Sequence, residues 1–147
     1  MNKITQAAYV LGHSSAEMQR LIFQAAVLRP LTERLIRDAG IRPGMRVLDL
    51  GCGAGDVTML VAEVVGVSGN VIGIDRSPEA LALAQKRVGD TPHHNITFAQ
   101  CAVEDYADTA SFDAVIGRYV LDPSMRSCRL SARCNAAVAT RWHSSLA

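Results

Sequence analysis

Several protein classes are excluded by what this chain lacks. Its 147 residues include one Trp, three Tyr and three Phe, an aromatic share of 5%. No apolar run approaches the ~20 residues of a membrane-spanning helix. The opening stretch, MNKITQAAYVLGHSSAE, has no long apolar segment followed by a small-residue cleavage site, so no secretory signal is read there. The four cysteines, Cys52, Cys101, Cys128 and Cys134, form no CxxC pair. That spacing speaks against a zinc site and a disulfide framework, and it suits the cytoplasm. The adjacent His93 and His94 have no third ligand nearby in sequence and read as a polar loop, so no metal is expected. A surplus of one charge is also missing: 15 basic and 14 acidic side chains leave a net +1, without the basic footprint of a nucleic-acid binder. A hydrophobic share of 49% is present and is enough for one buried core.

The average charge conceals a split. Residues 1–122 carry 11 basic and 14 acidic side chains, a net of −3, whereas residues 123–147 carry four arginines and no acid, a net of +4. The second stretch also has no glycine, five serines and two of the four cysteines, and its apolar residues follow neither a helical nor a strand period.

Apolar spacing predicts a helix over 15–28, then a second helix begun by Pro30 and ended by Gly40. A strand over 45–50 runs into Gly51-Cys52-Gly53-Ala54-Gly55, and a helix follows from Asp56, read as its N-cap, to Val65. A second strand over 71–75 ends on Asp75, and Ser77-Pro78-Glu79 opens the next helix with a cap, a proline and an acid. Further strands are expected over 95–100 and 112–120. Alternating strands and helices predict an α/β fold, a Rossmann-like parallel sheet with helices on its faces and an N-terminal helical leader. In such sheets ligands bind beyond the carboxyl ends of the strands. The glycine loop, Asp75 and the segments after Gln100 and Ile116 all fall there.

A dinucleotide site of the G-x-G-x-x-G type needs glycine at 51, 53 and 56, but position 56 is Asp. Asp49 and Asp56 beside the loop would repel a pyrophosphate and suit a ligand carrying an ammonium and a sulfonium. Asp75 would accept hydrogen bonds from ribose hydroxyls in either ligand class. Blander readings stand beside these. The glycines serve a tight turn, Cys52 is a small buried filler, Arg76, Glu104 and Asp105 are surface charges, and Tyr9 and His13 are packing or surface residues.

The ordered segments VLDLGCGAGD, VIGIDRSPEAL, ITFAQCAVEDY and FDAVIGRYVL resemble the successive motifs of class I S-adenosylmethionine (SAM)-dependent methyltransferases. The resemblance spans roughly residues 41–121, and the stretch YVLGHSSAEMQRLIFQAAVLRP resembles the leader of the small-molecule enzymes. It implies SAM as cofactor and a methyl transfer to a small-molecule acceptor. Asp49 would lie near the methionine ammonium, and Gly51, Cys52, Gly53 and Gly55 along the cofactor. Asp75 would hold the ribose, Arg76 would lie against the adenine, and Gly117 would offer a carbonyl. The family often has Gly-Asp-Ala after the third strand, where this chain has Cys101-Ala102-Val103. Adenine contact would then rest on the backbone at Ala102 and Val103, or on Glu104 or Asp105. No catalytic base is identified. A non-catalytic SAM-binding fragment and a nicotinamide-dependent oxidoreductase are the alternatives.

The likeness stops after Leu121. Three segments are therefore expected: a leader over 1–40, a SAM-binding half-domain over 41–121, and an atypical, disordered or non-native tail over 122–147. Read one nucleotide later, the codons of 137–145 permit Leu-Leu-Arg-Pro-Gly-Gly-Ile-Val-Ala, the turn and strand start that follow the family's fourth strand. A frameshift near codon 122 is the expectation drawn from this. The family's last strands would then be missing, and the fourth strand would form an exposed apolar edge.

Overall fold

A computed structural model of the chain describes residues 15–107, 111–117 and 137–139. The elements run α1 (Ser15–Asp38), β1 (Arg46–Leu50), α2 (Asp56–Val65), β2 (Asn70–Asp75), α3 (Pro78–Gly89), β3 (Ile96–Gln100), a 3-10 turn at Val103–Asp105, β4 (Ala114–Gly117) and β5 (Ala137–Ala139). In β1 and β2 four successive residues are buried. Near-continuous burial marks parallel strands covered on both faces.

All pairings are parallel, in the order β3-β2-β1-β4-β5. The chain builds outward from β1 through β2 to β3, then returns to place β4 on the other side of β1. The gap between β1 and β4 is therefore the switch point where such sheets open a crevice.

Register sorts the side chains. Val47, Val71, Ala114 and Ile116 face α2, where Leu60, Val61, Val64 and Val65 meet them, and Ile36 of α1 joins the same core. Leu48, Leu50, Ile72 and Ile74 occupy the opposite face with Phe112, and Val103 and Tyr106 pack against them. Ser77 caps α3 as its sequence predicts, accepting the Ala80 N–H at 3.1 Å, with Pro78 in the first turn.

The structure departs from the sequence reading at several points. The two leader helices are one helix, Ser15–Asp38, running through Pro30. An interior proline forfeits one helical hydrogen bond, yet tertiary anchors hold both flanks. Arg29 pairs with Glu63 of α2, and Ile36 is buried in the first core. The leader residues 1–14, Tyr9 and His13 among them, lie outside the described residues.

The fourth strand starts at Ala114, two residues later than expected. Phe112 makes an isolated bridge and turns into the second core, and Asp113 Oδ2 accepts the Arg46 N–H at 2.8 Å. Regular pairing begins only at Ala114; residues 118–120 lie outside the described residues. Nor is the β4 edge bare. Val115, Ile116 and Gly117 pair with Ala137, Val138 and Ala139, which takes up the backbone groups an edge would leave open. The rest of 122–147 lies outside the described residues. Among the described residues no helix is long and apolar enough to cross a membrane.

Candidate functional site

The loop between β1 and α2 is shaped by backbone conformation. Gly51, Gly53 and Gly55 have φ of 67°, 55° and 81°, and no non-glycine residue described has a positive φ. Left-handed backbone at alternate positions explains why glycine recurs there. The loop is tied to the sheet by the Cys52 N–H, which donates to Ile74 O at 2.9 Å. A Cβ on Gly53 would meet nothing within 4 Å, so that point of the loop borders open space. A Cβ on Gly55 would lie 3.2 Å from Ala84 Cβ and 3.3 Å from Phe98 Cζ, so Gly55 also permits close packing against α3 and β3.

Asp75, half-buried at the end of β2, joins this loop to α3. Its Oδ2 accepts the Gly53 N–H at 2.9 Å and its Oδ1 accepts the Ser77 N–H at 2.8 Å. Asp49 is 4% exposed at the end of β1. Its Oδ2 accepts a hydrogen bond from Thr58 Oγ1 at 2.7 Å. The two carboxylates converge on Cys52. Burial pushes that thiol far above its ordinary range, and the negative charges of Asp49 and then Asp75 push it further. Cys52 is accordingly a protonated, buried side chain and not a nucleophile.

Asp56 is not the N-cap. Gly55 takes that position, without a side-chain cap, and Asp56 begins α2. The Asp56 carboxylate is drawn aside by Arg87 of α3, whose Nη2 donates to Oδ1 at 2.7 Å while Nη1 donates to Ala54 O at 2.7 Å. Asp49, not Asp56, is therefore the carboxylate behind the loop.

On the rim, Arg76 and Glu104 meet at 2.9 Å, linking the segments that follow β2 and β3. The Glu104 backbone N–H and the Arg76 guanidinium hold the Glu104 carboxyl below its usual range. Ala102 and Val103 follow β3, and the Asp105 N–H donates to Ala102 O at 3.1 Å. The sheet is extended here by the Cys101 N–H bonding to Asp75 O at 3.1 Å. Gly117 ends β4 opposite Leu50. Thus Asp49, Gly51, Cys52, Gly53, Gly55, Asp75, Arg76, Ala102, Val103 and Gly117 all fall on the carboxyl edge of β1–β4. Among the described residues no group of three His, Cys, Asp or Glu could hold a metal ion.

Three contributors escaped the sequence reading. Thr58 and Arg87 look like ordinary helix residues until the helices are docked. Gly73 leaves room under the loop, since a Cβ there would lie 2.9 Å from Phe98 Cδ1 and 3.0 Å from Cys52 Sγ. A glycine inside an apolar strand is a recognised signal of such close approach.

Known proteins resemble this chain in sequence and fold. Residues 41–138 match the model of a family described as methyltransferase domain. The probable cobalt-precorrin-6B C(15)-methyltransferase (decarboxylating) of Thermoplasma acidophilum is 37% identical over 99 residues, 63% of this chain and 49% of that protein. A demethylmenaquinone methyltransferase of Staphylococcus aureus is 32% identical over 83 residues, 56% of this chain and 34% of that protein. The chain thus spans about half the length of these curated relatives, or less. A solved SAM-dependent methyltransferase from Aquifex aeolicus shares the fold, with a TM-score of 0.54 at 24% identity over 60% of this chain and 47% of that one. With a glycine loop, an acid at the end of β2 and a parallel sheet in this order, and a family match across more than half its length, the chain belongs to the methyltransferase-domain family, the class I SAM-dependent enzymes.

Proposed function

We propose that this chain binds SAM at the glycine loop and forms the cofactor-binding half of a methyltransferase acting on a small molecule. That half comprises the sheet and helices from residue 41 onward, behind helix α1, with Ala137–Ala139 as the sheet's last strand. One observation carries the reading: Asp75 binds the Gly53 N–H of a loop of left-handed glycines at the sheet's switch point, and the buried Asp49 carboxylate stands in the strand that leads into that loop. A negative field behind the loop favours the cationic ammonium and sulfonium of SAM and opposes a pyrophosphate.

The residues present fit that cofactor. Open space beside Gly53 admits a ligand against the backbone. Asp75 is oriented by two backbone N–H groups, and a carboxylate has further lone pairs to accept both ribose hydroxyls. The α2 N-terminus, without a side-chain cap, suits the amino-acid carboxylate. Arg76 and Glu104 border the adenine end, where the backbone of Ala102 and Val103 supplies contacts. Gly117 offers its carbonyl to the ammonium. When bound, SAM supplies a methyl group already activated by its sulfonium. The chain's part is to orient the cofactor and keep water out. The acceptor is read as a small molecule, since the relatives are named for cobalt-precorrin and demethylmenaquinone. A cytoplasmic location fits the absence of a CxxC pair.

Calorimetry tests the reading. SAM binds in the low micromolar range, NAD does not bind, and Asp75→Ala abolishes the SAM signal. A wild-type chain that binds NAD and not SAM overturns it. Methyl transfer to a panel of corrinoid and quinol acceptors then separates an active enzyme from a binding fragment.

A further inference from the structure

Thr58 is the third residue of α2 and is fully buried. A buried helical threonine ordinarily turns its hydroxyl back to the carbonyl four residues earlier. Thr32 does so in α1, donating to Leu28 O at 3.1 Å. For Thr58 that carbonyl belongs to Ala54, which precedes the Gly55 N-cap and so lies outside the helix, where it accepts from Arg87 Nη1 at 2.7 Å. The Thr58 hydroxyl instead crosses to β1 and donates to Asp49 Oδ2 at 2.7 Å. A carboxylate that is 4% exposed needs such donors to stay where it is. Its charge is felt at Cys52, in the middle of the glycine loop.

We infer that Thr58 is a positioning residue for the amino-acid end of the cofactor: by fixing the Asp49 carboxylate behind the loop it tunes recognition of the ammonium and leaves adenosine recognition alone. The inference rests on the SAM reading above. Division of labour follows from the geometry. Asp75 is held by the Gly53 and Ser77 N–H groups, neither of which involves Thr58. Losing the Thr58 hydroxyl therefore acts on Asp49 and on the Cys52 thiol it also meets, and leaves the two hydrogen bonds of Asp75 in place.

The test compares two probes on the full chain by calorimetry: SAM, and 5′-methylthioadenosine, which has the nucleoside and thioether but no amino-acid group. Thr58→Val weakens SAM binding roughly tenfold, in keeping with loss of a charge-assisted hydrogen bond, and leaves 5′-methylthioadenosine binding unchanged. Thr58→Ser restores SAM binding. Asp49→Asn reproduces the selective loss, and adding Thr58→Val to it costs nothing more. Equal weakening of both probes assigns Thr58 a merely structural role and overturns the inference, as does no change in either. Should Thr58→Val fail to fold, Thr58→Cys, a weak donor in a small side chain, carries the same readout. A wild-type chain that binds 5′-methylthioadenosine as tightly as SAM overturns the ammonium contact while the nucleoside site stands. One that binds neither overturns the SAM reading itself.

Discussion

Two ion pairs flank the glycine loop and are built for different conditions. Inside, Arg87 and Asp56 are 25% and 15% exposed, and the same guanidinium also holds the Ala54 carbonyl. On the rim, Arg76 and Glu104 are 55% and 60% exposed and link two segments that follow strands. The inner pair is scaffold, since it joins α3 to the exit of the loop in a place water reaches poorly. The outer pair sits in solvent, where an ion pair contributes little to stability and exchanges readily for a ligand contact.

Breaking the inner pair has the largest expected effect. Arg87→Leu strands the Asp56 carboxylate and the Ala54 carbonyl together, and should cost about 2–3 kcal/mol in urea unfolding. Adding Asp56→Asn should recover part of that loss. A double-variant cost equal to the sum of the separate Arg87→Leu and Asp56→Asn costs would show that the pair is not coupled.

A smaller effect sharpens the inner side. The Cys52 thiol is raised by burial and by Asp49 and Asp75. Its proton is held in the folded chain and released in the unfolded one once pH passes the ordinary thiol range. The resulting stability is full below that range and declines as pH climbs above it. Wild-type melting temperature should therefore fall more steeply on the alkaline side than that of Cys52→Ala. Parallel curves would remove the thiol from the account.

The smallest effect belongs to the rim. Arg76→Ala should leave the urea midpoint where it was and weaken SAM binding only a few-fold, with the loss shrinking as salt is added. A marked shift of the midpoint would make the rim pair structural and erase the contrast with Arg87.

Legibility in the sequence followed the distance over which each feature is decided. The α2 span, the Ser77 cap and the recurrence of Gly51, Gly53 and Gly55 were readable because each depends on backbone and neighbours within a few residues. Asp75 was readable from its place at a strand end, two residues before that cap. The continuous helix through Pro30 was not, because local propensity argues for a break there and the packing of Ile36 into the core is made only in the fold. Asp56 was misread as a cap because only docking α3 brings Arg87, 31 residues on, to claim its carboxylate. The β4 edge was read as bare because pairing with residues 137–139 is a sheet-level event.

By itself the sequence determined the alternation of strands and helices, the conformation of the glycine loop and the presence of acids at strand ends. These are local, written in steric preference and hydrophobic period. Tertiary structure alone decided which acid stands behind the loop, which helix residues hold it, and what room Gly73 leaves beneath Cys52. Those outcomes depend on sheet register and helix docking, which set the side-chain distances at the site and appear only once the helices are packed against the strands.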